Sequence, residues 1–186
     1  GFLGAFLLML LLLNLFARAL PRTVTGIFGR LQLLSAAWMA FAHGSNDAQK
    51  TMGIITLALV AGGVLTDPTV PLWVILMAAS AISFGTAAGD WRIIKTMGQK
   101  VVKLDPVHGF AAETTAATII FGASHFGMPV STTHVISSAI IGVGSSDRFS
   151  AVRWGVAGNI VIAWILTIPA SAAVAWLAWE LLSRVL

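Results

Sequence analysis

Two short polar stretches interrupt an otherwise apolar chain, and each carries groups suited to handling small ions. The first is His43-Gly44-Ser45-Asn46-Asp47, continued by Gln49 and Lys50. A carboxylate inside an apolar segment is costly unless it has a partner or a task. Asp47 and Lys50 stand three apart, a spacing that lets them neutralise each other on one helical face. Gly44 favours a break in the helix instead. Unwound carbonyls beside Asp47 would suit Na⁺ or H⁺, while Asn46 would donate to an anion, and His43, Ser45 and Lys50, with His134 further along the chain, would support the ligands from nearby.

The second stretch is Gly127-Met128-Pro129-Val130-Ser131-Thr132-Thr133-His134. Gly127 and Pro129 stop any helix before them, and Ser131 is a good N-cap for the next one. The first turn of that helix carries free N–H groups beside the Ser131, Thr132 and Thr133 hydroxyls. Inside a membrane this is an anion site, because unpaired donors and the positive end of the helix dipole face one spot. Upstream, Glu113 is a candidate cation ligand or proton carrier. Thr118, Ser137 and Ser138 read as residues that bond their own helix. Ser131 and His134 lie one turn apart, which raises a serine hydrolase as a different class of function. That chemistry needs converging elements and an oxyanion hole, and Ser131 is wanted as a cap. His125 reads as structural, and the histidines follow no zinc spacing.

The elements that hold these stretches are membrane helices. Hydrophobic residues make up 58% of the chain and charged residues 10%, and its mean hydropathy is +0.91. Apolar runs of helical length predict an all-α integral membrane protein, a single transmembrane domain over 1–186 with no soluble module. With no cysteine, disulfide scaffolds, thiolate metal sites and cysteine nucleophiles drop out together. The net charge of +4 sits in connecting segments and sets orientation; it is not a nucleic-acid footprint. Residues 1–17 predict a spanning helix, and Arg18, Arg22 and Arg30 put 18–30 on the cytoplasmic side.

Residues 31–65 are about twice a simple span and predict a broken helix, two half-helices around the His43–Asp47 centre. Leu72 to Gly89 predicts a clean span, with Trp73 and Trp91 about 27 Å apart as an aromatic belt. Residues 90–106, with Trp91, Ile94, Met97, Val101 and Leu104 at helical spacing and four basic residues, predict an amphipathic helix on the cytoplasmic surface. Residues 108–144 predict a re-entrant helical hairpin, because basic flanks stand on both sides of two pieces joined by Gly127–His134. Trp154 to Leu182 predicts a last span kinked at Pro169. The opening Gly-Phe suggests a fragment, or one half of a larger protein.

These residues resemble a known family. His43-Gly-Ser-Asn-Asp-Ala-Gln-Lys-Thr-Met-Gly53 is similar to the Gly-x-Asn-Asp motif of the inorganic phosphate transporter (PiT) family, and Pro129-Val-Ser-Thr-Thr-His134 to its second motif. Glu113, eighteen positions before Ser131, falls where the family's hairpin glutamate does. The resemblance implies a secondary transporter of two inverted repeats, of which this chain would be the C-terminal one, from a bacterial plasma membrane. By resemblance Asn46, Asp47, Ser131, Thr132 and Thr133 would hold phosphate, and Asp47 with Glu113 the coupling cation. It implies symport of phosphate, free or as a metal complex, with Na⁺ or H⁺, and no resident cofactor. The implied partners are the lipid bilayer, the missing N-terminal repeat and, as one allowed assembly, a second copy in a homodimer. A sulfate permease of the same fold is the alternative. Discrimination between the two anions would fall to Asp47, which can accept a proton that hydrogen phosphate has and sulfate lacks.

Overall fold

The computed structural model describes residues 1–89 and 95–184. Its regular elements, among the described residues, are all helical. They are α1 (Phe2–Leu15), α2 (Pro21–Ala61), α3 (Leu72–Gly89), a π-helical turn (Thr96–Val101), α4 (Pro106–His125), α5 (Thr132–Asp147), a 3₁₀ turn (Phe149–Ala151) and α6 (Trp154–Leu182). The chain divides into two compact units, Gly1–Val152 and Arg153–Leu186. The second consists of α6 with its short flanks. It runs through Pro169 as one helix, and Ile165, Leu166, Ile168, Val174, Trp176 and Trp179 are all exposed on it.

In the first unit α2 packs along α4, α4 packs against α5 to form the hairpin, and α1 lies on α5 and α4. Side chains at these seams are small. Ala111, Ala112, Ala116 and Ala117 are buried on α4, and Ala42 of α2 packs with Ala117 and Ile120 under Trp38, Met39, Val130 and Val135. Small residues let helix backbones approach closely, and dispersion then does the work that apolar burial does in water. At Gly109 of α4 any larger residue would displace the Gln32 side chain of α2, because a Cβ there would collide with its amide. Helices α2, α3 and α6 are long and apolar enough to cross a membrane.

Three sequence expectations differ from the structure. The broken helix over 31–65 is instead one continuous helix of 41 residues, Pro21–Ala61, which also absorbs Arg22 and Arg30 from the expected loop. Its polar centre needs no unwinding: His43, Asp47, Lys50 and Thr51 bond one another along one face, and Gly44 costs such a helix only about 1 kcal/mol. The expected first span folds as 14 residues, about 21 Å, short of a bilayer's hydrocarbon thickness.

The amphipathic helix over 90–106 is the third difference. Residues 90–94, including Trp91 and Ile94, lie outside the described residues. Beyond them the chain leaves helical geometry at Val102, and both Val101 and Val102 are buried. Pro106 keeps one helix from running through the segment: its ring would clash with the carbonyl four residues back, at Val102, and the residue before it, Asp105, is extended at φ −101°, ψ 177°.

Candidate functional site

The site grows from the middle of α2. Positions 43, 46, 47 and 50 share one helical face, which puts His43, Asn46, Asp47 and Lys50 toward the hairpin tip. The Asp47 carboxylate is surrounded by donors. Its Oδ1 accepts from Asn46 Nδ2 at 3.1 Å and from Lys50 Nζ at 3.0 Å. Its Oδ2 accepts from Thr132 Oγ1 at 3.3 Å, and His43 Nε2 lies 3.3 Å away. The neutralising Asp47–Lys50 pair therefore forms, as one part of a larger arrangement.

The hairpin tip is built by its own sequence. Gly127 takes φ +68°, and α4 closes with bonds from Gly127 N to Ser124 O at 3.1 Å and from Met128 N to Ala123 O at 2.9 Å. This left-handed glycine closure satisfies the last carbonyls of the helix. Pro129 and Val130 then lead to Ser131, the N-cap of α5, whose Oγ accepts from His134 N at 3.4 Å and lies 2.5 Å from His134 Nδ1. Val130 stands outside both helices, so its carbonyl is free to receive α2. Asn46 Nδ2 donates to it at 3.1 Å and Lys50 Nζ at 2.6 Å, while Ser124 Oγ donates to Asn46 Oδ1 at 3.2 Å. Asn46 is 3% exposed and Thr132 5%, while the side chains of Asp47 and Lys50 are 29% and 33% exposed, so the seam is buried at its centre and open at its edge.

Beside the seam, a cavity of about 760 Å³ lies between α2, α3, α4 and α5. His43, Asp47, Thr51, Thr132 and Thr133 border it, and so do Gln32 and Glu113. Glu113 Oε2 accepts from Ser35 Oγ at 2.6 Å. One space thus carries a carboxylate from α2, a carboxylate from α4 and the hydroxyls of the first turn of α5. Asn46 borders a second, smaller cavity on the other side of the seam with Lys50, Ser124 and Gly127. Oxygens that border the larger space and suit a cation are those of Asp47, Glu113 and Thr132; donors there that suit an anion are the hydroxyls of Thr132 and Thr133 and the amides of those two residues at the start of α5.

Of the residues singled out by sequence, Asn46, Asp47, Lys50, His43 and Thr132 meet directly. Thr133 and Glu113 share the cavity with Asp47 and Thr132, and Ser131 caps α5 and touches His134. The Ser131–His134 contact is the one a hydrolase would want, but Ser131 Oγ is engaged as the cap acceptor. Thr118 and Ser138 bond carbonyls of their own helices, Thr114 O at 2.7 Å and Val135 O at 2.9 Å. Ser45 is half-buried on α2. Sequence reasoning missed Gln32, Ser35 and Ser124, single polar residues whose partners lie on another helix.

It also missed the open end of the hairpin. There His108, buried at 7% exposure, sets Nδ1 2.7 Å from Asp105 Oδ1 and Nε2 2.8 Å from Asp147 Oδ2. This ties the start of α4 to the end of α5. Burial pushes the Asp105 carboxyl up, but the amides of His108 and Val107 and the His108 ring outweigh it and hold the group below the usual carboxylate range. The N-cap geometry is the same fact seen structurally, with Val107 N at 2.9 Å and His108 N at 3.0 Å from Oδ1. The Asp-Pro pair at 105–106 was the available signal, an N-cap followed by proline at N1.

Comparison with known proteins gives one answer at three levels. A family model described as the phosphate transporter family matches residues 6–175. The chain is 51% identical over 180 residues to the "Probable low-affinity inorganic phosphate transporter" of Rhizobium meliloti, covering 96% of this chain and 54% of that protein. It is 47% identical over 159 residues to the Bacillus subtilis protein of the same name, covering 85% and 48%. A solved structure, "The sodium-dependent phosphate transporter", superposes with a TM-score of 0.77 at 32% identity, over 88% of this chain and 42% of that one. The chain spans about half the length of the curated relatives it matches.

Proposed function

The chain belongs to the phosphate transporter family, and from that premise we propose that it forms one half of a cation-coupled phosphate symporter, bearing part of the anion site and a cation-coupling carboxylate pair. The observation that carries this reading is the shared cavity. Asp47 and Glu113 face it together with Thr132, Thr133 and the start of α5. Phosphate is tetrahedral with several acceptor oxygens, and is best met by neutral donors and a helix terminus rather than by a clamp of arginines that would oppose release. Thr132, Thr133 and the first amides of α5 would contact the anion. Ser131 and Asn46 serve it by fixing the turn, Ser131 as the cap and Asn46 through the Val130 carbonyl.

Asp47 and Glu113 would answer to the coupling cation, Na⁺ or H⁺. Asp47 already receives Asn46, Lys50 and Thr132, with His43 beside Oδ2, so accepting the hydrogen bond that hydrogen phosphate offers would compete with, and exchange for, one of these partners. That exchange would link anion arrival to loosening of the seam. The N-terminal repeat expected from the family, and a homodimeric assembly, belong to the same proposal. The test is uptake of labelled phosphate into proteoliposomes of the full-length protein, with Na⁺ and pH gradients varied separately and sulfate as competitor. Uptake driven by one gradient and resistant to excess sulfate is the expected result. Efficient competition by sulfate would move the assignment to a sulfate permease, and absence of uptake under either gradient would reject symport.

A further inference from the structure

Lys50 enters that scheme only as one donor among several to Asp47, although it bonds both sides of the seam. Its Nζ lies 3.0 Å from Asp47 Oδ1 and 2.6 Å from the Val130 carbonyl. These are the same two oxygens that Asn46 Nδ2 already bridges, at 3.1 Å each. Fastening α2 to the hairpin tip therefore does not need a lysine. What the ammonium adds is a whole positive charge, set against a carboxylate and a backbone carbonyl outside any helix. Carboxylates and carbonyls of unwound backbone are the ligands from which membrane transporters build sodium sites. A lysine on its flexible stem can occupy such a place as a compact point charge.

We propose that the Lys50 ammonium is a resident cation that fills the Asp47–Val130 site, so that this site operates without a sodium ion. The inference rests on the transport reading above and specifies which ion serves this carboxylate. It also gives a physical ground on which this chain would depart from the solved neighbour, whose name carries sodium dependence. With Lys50 in place, the charge that opposes Asp47 never leaves the protein. Coupling at this site would then depend on whether the side chain is seated or withdrawn, and the ion that crosses the membrane would be handled elsewhere.

The experiment compares the full-length wild type, Lys50→Met and Lys50→Arg in proteoliposomes, with sodium exchanged for choline at constant pH and ionic strength. Lys50→Met keeps an unbranched side chain one heavy atom shorter and removes its charge. Its phosphate uptake in choline should fall about tenfold, and sodium should raise it roughly fivefold more than it raises the wild type. Lys50→Arg should keep the wild-type sodium-to-choline ratio. Equal ratios in wild type and Lys50→Met would overturn the proposal. Thermal unfolding in detergent, with sodium against choline, provides a second readout. Lys50→Met should gain stability from sodium beyond any gain of the wild type, and an inactive Lys50→Met that gains none would also overturn the proposal. Failure of the wild type to take up phosphate under any gradient would reject the transport reading, while the unfolding comparison would still decide the assignment of Lys50.

Discussion

The two ends of the hairpin are both held by contacts to carboxylates, but in opposite ways. At the tip one carboxylate, Asp47, gathers donors of mixed kind from α2 and α5: an amide, an ammonium and a hydroxyl, with an imidazole alongside. At the base one imidazole, His108, is gripped by two carboxylates, and it is not among the residues that border the Asp47 cavity. The tip has more donors than a fastening needs, and several can be exchanged for a ligand. The base has one buried ring with both nitrogens engaged, which leaves nothing to exchange. On the proposed reading, a surplus of replaceable partners would mark the working end, and a closed set of partners the anchored end.

The largest effect that would sharpen this contrast is at the tip. Asp47→Asn removes the negative charge and one of the two oxygens that receive Lys50 and Thr132, without changing size, so phosphate uptake by the full-length protein should fall more than about a hundredfold. Thermal unfolding should change far less, because the small-residue packing of α2 on α4 is untouched. A variant that transports normally, or that loses stability in proportion to uptake, would erase the distinction. The base should show the reverse pattern. His108→Ala leaves two carboxylates that are 58% and 40% exposed and can return to water, so it should cost roughly 1–3 kcal/mol of stability. Uptake, measured at a temperature where the variant stays folded, should remain within about twofold of wild type.

The smallest expected effect is in the pH dependence of the base. Asp105 has its folded-state pKa lowered from the ordinary 3.8. It therefore contributes stability in full above that ordinary value and loses it as pH falls through the lowered one. Asp105→Asn keeps a side-chain cap but removes the titration. Its unfolding temperature should be slightly below wild type at neutral pH, with the gap closing in acid; a gap that stays constant would show that the carboxylate charge is not what matters there.

The same contrast explains what the sequence made legible. Both halves of the tip announce themselves locally, as a run of polar residues around Asp47 and as Gly127, Pro129 and Ser131 punctuating the chain. Their meeting does not, because the Asn46–Val130 bond joins positions 84 apart and depends on how α2 lies on α4. His108 and Asp147 are 39 positions apart and carry no local mark of their pairing. The polar run was also read too strongly as a break. Once Asp47 can reach His43 and Lys50 along the same helical face, intrahelical bonding removes the need to expose the backbone. The stop after Val101 was readable but outweighed, since helical spacing of apolar residues hid the constraint that Pro106 places on Asp105.

Continuity of α2 has a mechanical consequence. Forty-one residues at helical rise span about 61 Å, roughly twice the hydrocarbon thickness of a bilayer. Such a rod must lean or protrude, and its basic first turns, with Arg22 and Arg30, come out at headgroup depth or beyond. It is also a lever. Pro21 stands roughly 39 Å along the axis from Asp47, so a lean of about 5° pivoting at the polar centre swings that end by roughly 3 Å. A broken helix would dissipate this rotation at its joint; an unbroken one delivers it to the membrane surface.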